Sequence, residues 1–411
     1  MFEFGRDLRK LFEKARESDD LGWLELISAD LVESEARGQA TDAGRVSNAK
    51  PFDSWMRASA LYREHARRTG RQTSLDRAAR AASDAVHAAT NADQRPAAGI
   101  EAVEIHMLAF DLFGGPSRLT AALDDIQALA AERPATRAWS ASAHARLNAR
   151  RARLAQDASA LMDAAALMDA ALMAARHLSV AMADDLRLER AGLSLEVGVS
   201  RCDPHLLDQA GRDLRTLVNA ALPEQRPMTR ARALAMAGAG LRALAAMAGD
   251  PDSVLNGRAL FESAADQFTP DHSPLDWVAV QLSHADQASL ATLIQCEGLT
   301  REPGLILGAL ARERRVAIET ALAQAMGDLK ALSALELTVK ARLLVPTLRP
   351  LDWAAEQIGL ARIALARARL MGVEPRGLGM VLAEAALTAR EQGAETLARS
   401  AETALLDLAP A

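Results

Sequence analysis

Apolar residues recur at steps of three and four along nearly the whole chain, and strict alternation is missing. From Asp252 to Phe268, for example, Val254, Leu255, Ala259, Leu260, Ala264 and Phe268 fall on one helical face. Gly249-Asp250-Pro251 breaks the chain before this stretch, and Thr269 to Pro274 breaks it after. The segment from Asp203 to Leu222 repeats the pattern. Ala and Leu carry the apolar content, with Arg and Glu as frequent charges, and these are strong helix formers. The expected fold class is all-α.

Proline marks where many of these helices begin, because the first helical position needs no N–H donor. Candidate starts are Pro51, Pro96, Pro134, Pro227, Pro274 and Pro350, at steps of 45, 38, 93, 47 and 76 residues. The last step is two times 38 and the 93-residue step is close to two times 46, so two units lack a proline. One unmarked start is placed near His177. A helix, a turn, a second helix and a proline-marked restart make one unit, and periods in this range indicate an array of helical repeats. The phrase Pro-Leu-Asp-Trp occurs twice, at Pro274 and Pro350, and is read as the start of the first helix of a repeated hairpin.

The eleventh residue after the proline is small in four units: Ala145, Gly238, Ala285 and Ala361. A small side chain there lets paired helices approach closely. Trp55, Trp139, Trp277 and Trp353 are expected to supply bulk near the helix starts; Trp277 and Trp353 share one register, while Trp55 and Trp139 are shifted. Asp276, Asp352 and Ser273 are read as helix-start residues that serve the cap and the dipole. Residues 40–50 and 111–117 read as loops, and residues 328–345 fit no unit cleanly.

The segments Ala259 to Ala285 and Arg349 to Gly372 resemble the tetratricopeptide repeat family, in a variant with a Pro-x-x-Trp-Ala start and a mid-helix pair, here His284-Ala285 and Leu360-Ala361. The resemblance implies an α-solenoid of helix-turn-helix repeats wound into a right-handed superhelix. The expected organisation is an N-terminal amphipathic helix and capping region over 1–50, a repeat array over 51–392 and a capping helix over 393–411. HEAT-like repeats, with periods of ~40–47 residues, compete with this reading.

Charge and composition narrow the function. The net charge is −6 with mixed signs, which gives no basic face for nucleic acid. Two cysteines, Cys202 and Cys296, make neither a disulfide framework nor a zinc site and are expected to be buried thiols. No run reaches the ~18 apolar residues of a membrane span, so no transmembrane segment is expected. In residues 1–16, Phe4, Leu8, Leu11 and Phe12 face one side and Arg6, Arg9, Lys10, Glu13 and Lys14 the other. That helix is read as a cap on the first repeat, with contact to a membrane surface as the alternative. A cytoplasmic location is expected, and the Ala- and Arg-rich composition suggests a bacterium.

No motif for metal-dependent hydrolysis, phosphate binding or a nucleophile elbow is found, so no enzyme, cofactor or metal is expected. Gly238 and Gly240 lie inside a helix pattern, where close packing explains them. His272 and His284 stand near Asp271, Asp276 and Asp286 and offer a metal or acid/base cluster, but helix-start aspartates such as Asp276 are better explained by the cap and the dipole. The Leu–Met pairs between Asp157 and Ala175 read as a core helix, with an adaptable partner surface as the alternative. Arg146, Arg150, Arg151 and Arg153 cluster in one stretch and have the chemistry to bind carboxylate or phosphate.

The function expected is a non-enzymatic scaffold or adaptor that binds a segment of another protein in a concave groove. By the family resemblance, the groove residues are Arg146, Asp286 and Arg362, with Arg242 one turn beyond that register. The alternative is a regulatory sensor that closes on a small anionic ligand or signalling peptide.

Overall fold

The structure is a computed structural model that describes residues 21–129, 134–283, 289–343 and 345–408. Among the described residues every regular element is helical: a short 3-10 turn, Leu21–Leu26, and 18 α-helices. Helix α1 (Ala29–Ala43) leads into eight pairs. These are α2 (Pro51–Thr69) with α3 (Gln72–Ala88), α4 (Gln94–Phe113) with α5 (Pro116–Gln127), and α6 (Pro134–Leu154) with α7 (Ala158–Ala175). Next come α8 (Val180–Arg201) with α9 (Pro204–Ala220), α10 (Pro227–Ala248) with α11 (Pro251–Gln267), and α12 (Pro274–Ser283) with α13 (Leu290–Leu299). The series ends with α14 (Ile306–Ala325) and α15 (Leu329–Arg342), α16 (Pro350–Met371) and α17 (Leu378–Glu391), and then α18 (Glu395–Leu406).

Helix starts follow two rules. First helices open on proline at Pro51, Pro134, Pro227, Pro274 and Pro350. Pro96 instead lies within the first turn of α4. Second helices often carry a side-chain cap: Asp157, Asp203, Asp250 and Asp328 each accept from backbone N–H groups of the turn that follows. Pro204 and Pro251 open second helices, so proline alone does not distinguish the members of a pair.

The 76-residue step from Pro274 to Pro350 spans α12 to α15, two pairs. The unmarked start near His177 is α8, capped by the Ser179 hydroxyl. The awkward stretch 328–345 is α15, second member of a pair whose first helix has no proline at its start. Helix α1 runs to Ala43 and α4 to Phe113, so the predicted loops are shorter than expected.

Neighbouring helices pack in series, and each first helix also touches the first helix of the next pair. The first helices thereby form one continuous layer. The small residues make the close approaches. A Cβ on Gly238 would lie 2.9 Å from the Gly257 carbonyl, and one on Gly257 would lie 3.0 Å from the Gly238 carbonyl. Helices α10 and α11 thus touch backbone to backbone. Ala145 and Ala361 are buried in the equivalent position; Ala285 lies outside the described residues.

The tryptophans divide. Trp353 is buried, Trp277 is half-buried between two core clusters, and Trp139 is 45% exposed, so it does not supply core bulk. Cys296 is buried, and burial raises its thiol to about 11. Cys202 is exposed, contrary to expectation, because it ends α8 in a left-handed conformation that turns it outward. Helix α7 buries Leu161 and Met168 and exposes Leu167 and Met173.

By length and composition alone, α7 and α10 are apolar enough to cross a membrane, contrary to the expectation that no stretch would be. Their hydropathy comes largely from alanine. Each packs between neighbouring helices. The predicted amphipathic helix over 1–16 lies outside the described residues.

Most core clusters join neighbouring pairs, as repeat packing requires. One does not. Trp23, Leu24, Leu61 and Leu75 share a cluster with Leu275 and Leu305. The chain therefore returns on itself: the 3-10 turn meets α10, α2 meets α12, and α4 meets α14.

Candidate functional site

The first-helix layer carries ion pairs between neighbouring units, and the paired residues are spaced by the repeat. Arg63 pairs with Glu101 at 2.8 Å. Arg146 stands between Glu104 at 2.7 Å and Glu189 at 2.6 Å. Arg150 holds Asp111 at 2.6 Å and Glu189 at 3.1 Å. Arg232 holds Asp276 at 2.7 Å, Arg226 holds Asp184, and Arg312 holds Asp352. The partners stand 38 to 44 residues apart in sequence, one unit of the array.

Where the chain returns, the network crosses between distant segments. Arg68 is wholly buried and donates to the carbonyls of Ile27 and Leu24, each at 2.6 Å. The His272 ring contacts the Glu25 carbonyl at 2.7 Å. The Glu25 carboxylate accepts from the Thr229 N–H at 2.9 Å in the first turn of α10, and it also meets Arg226. Arg67 reaches Asp276 at 3.5 Å across 209 residues.

These neighbours set the ionisation. Burial works to raise the Glu64 and Glu189 carboxylates, but paired arginines overcome it. Arg67 and Arg68 hold Glu64 at about 2, and Arg146 and Arg150 hold Glu189 at about 2. Asp276 behaves differently: burial keeps it above the usual carboxylate range even against Arg67 and its hydrogen bond from Ser273.

Asp185, on α8, is the exception in this network. It accepts no hydrogen bond and forms no ion pair among the described residues. Burial raises its pKa to about 6, against the pull of Arg146 and Arg67. Yet water reaches the side chain, which is exposed. The carboxylate is thus surrounded by protein atoms and still in contact with solvent.

Of the residues singled out from the sequence, Arg146 lies within this network. Arg242 extends from α10 and donates to the Ser283 carbonyl at the end of α12. Arg362 lies elsewhere in the layer, against Glu313 at 3.2 Å and the Ser400 hydroxyl at 3.0 Å. Asp286 and His284 lie outside the described residues. His272 and Asp276 face different partners, Glu25 and Arg232. Asp276 and Asp352 do lie in the first turns of their helices, but their carboxylates reach back to arginines of an earlier unit. No cluster of three or more metal-ligating side chains occurs among the described residues.

Glu104, Asp184, Asp185 and Glu189 were not singled out from the sequence. Their signal was present: acids about one repeat away from first-helix arginines. Reading it needed the pairing of helices that the fold supplies.

No protein-family model matches the chain. No curated protein matches it either.

Proposed function

We propose that this chain is a non-enzymatic interaction module, an α-solenoid of tetratricopeptide-like hairpins whose first-helix layer holds a segment of a partner protein. The serial packing of helix pairs and the repeat-spaced ion pairs support the architecture. The observation that carries the binding reading is Asp185. Its neighbours are engaged with one another, and it is left as a water-accessible carboxylate that feels Arg146 and Arg67 but has no hydrogen-bond or ion-pair partner among the described residues. A lysine or arginine side chain of a bound segment supplies the direct ion pair that Asp185 lacks, and a charge-assisted pair surrounded by protein is stronger than one at an open surface.

The anion-binding alternative has less support. Arg146 and Arg362 already hold acidic partners, and an incoming anion would have to displace Glu189 or Glu313. Stripping one partner from a buried ion pair costs ~3–5 kcal/mol.

The test uses labelled basic peptides and matched peptides with norleucine or citrulline in place of lysine or arginine. Fluorescence anisotropy is read with wild type and Asp185→Asn, whose circular dichroism must match. The expected result is binding of cationic peptides only, weaker by several-fold in Asp185→Asn and on moving from about pH 7.5 to about pH 5. Binding indifferent to peptide charge and to Asp185, or no binding in the panel, sinks the proposal.

A further inference from the structure

A second feature is independent of the charged layer. A cavity of about 160 Å³ lies among α8, α9, α10 and α11, with Leu195, Leu214, Leu241 and Leu244 among its walls. Glycine shapes it. Gly211 sits in the middle of α9, and a Cβ built there would meet nothing within 4 Å. Glycine is among the weakest helix formers, so its presence at an unobstructed interior position keeps space open at a cost to the helix. Arg215, one turn further along α9, also lines the cavity and is its only charged wall. Arg215 is exposed and makes no hydrogen bond or ion pair among the described residues. An apolar pocket with a convergent polar group is the usual form of a small-molecule site, and this one is small enough to select a small ligand.

We propose that this cavity binds a short aliphatic monocarboxylate, with the chain among the leucines and the carboxylate on Arg215. Size limits the chain. An apolar cavity of ~150 Å³ admits benzene, so the occupant has about six carbons. Charge selects the head group, since a guanidinium pairs with a carboxylate in bidentate fashion and gains nothing comparable from an alcohol.

The probes are hexanoate, hexan-1-ol and decanoate, titrated by calorimetry and by thermal unfolding of the full chain. The variants are Gly211→Leu, which fills the space, and Arg215→Gln, an exposed change that leaves the fold alone. Wild type should bind hexanoate and gain about 2–4 °C in Tm at saturation. Decanoate should bind more weakly. Arg215→Gln should weaken hexanoate ~5-fold or more while leaving hexan-1-ol unchanged. Gly211→Leu should abolish both. Three results overturn the proposal: no binding of hexanoate to wild type, equal affinity for the acid and the alcohol, or hexanoate affinity unaffected by Arg215→Gln. The wild-type comparison and Arg215→Gln decide the matter even if Gly211→Leu fails to fold.

Discussion

The Arg146 Nε lies 2.6 Å from the Glu189 carboxylate, joining α6 to α8 across 43 residues. The same guanidinium holds Glu104 on α4 at 2.7 Å, so one side chain ties three consecutive first helices. Arg146→Ala leaves two partly buried acids short of their cation and should destabilise the chain by ~3 kcal/mol. Adding Glu189→Gln to Arg146→Ala should recover part of the loss. Urea unfolding of the four proteins in the cycle measures the coupling, and additive losses would show that the pair does not interact.

Glu64 and Glu189 should make the fold acid-labile. Both are held at about 2, below an ordinary glutamate. A depressed carboxylate stabilises the native state above its unfolded pKa, and that stability is lost as pH falls through the folded value. Stability should therefore drop between about pH 4.5 and about pH 2, by roughly 2 kcal/mol for each group. Glu189→Gln should flatten its share of this drop. A wild-type curve with no slope in that window refutes the assignment.

Asp185 has the opposite sign. Its pKa is raised to about 6, so the native state favours the protonated form. Its ionisation penalises folding progressively as pH rises from the unfolded value through about 6. Asp185→Asn should raise Tm at neutral pH and have little effect near pH ~3.5. Water reaches this side chain, so screening limits the gain to no more than about 1 kcal/mol. A variant less stable than wild type at neutral pH would mean that the carboxylate has a partner after all.

Two glycines should respond oppositely to one added methyl group. Gly238→Ala places a Cβ 2.9 Å from the Gly257 carbonyl and forces α10 away from α11. The expected loss is ~1–2 kcal/mol, even after the gain in helix propensity. Gly211→Ala meets no neighbour and should stabilise α9 by ~0.5–1 kcal/mol. Thermal unfolding of both variants tests the contrast.

Arg68 fastens the 3-10 turn and the start of α1 to α2 through the Leu24 and Ile27 carbonyls. Arg68→Met should leave those two carbonyls without their donor, while Glu64 keeps Arg67, and so loosen the segment. Limited proteolysis should then cut near residues 21–28 at least ~10-fold faster than in wild type, through local opening. An unchanged cleavage rate would show that the apolar contacts of Trp23, Leu24 and Ile27 hold the segment by themselves.

The chain's local grammar determined its helices. Three- and four-residue spacing placed them, Pro274 and Pro350 marked their starts, and the 76-residue step foretold two pairs between those prolines. Each of these features needs only contacts within a helix or with the next one, so sequence spacing records them. The small residues at Gly238 and Ala361 belong to the same class, since they face an adjacent helix. Tertiary structure alone decided the rest. Arg67 meets Asp276 across 209 residues because the path of the whole chain brings α2 beside α12, and no spacing rule encodes that path. The packing of neighbouring units likewise set Arg146 between two acids and left Asp185 without a hydrogen-bonded or ion-paired cation. A charge pattern shows which residues are able to pair, and the path of the backbone determines which one remains unpaired.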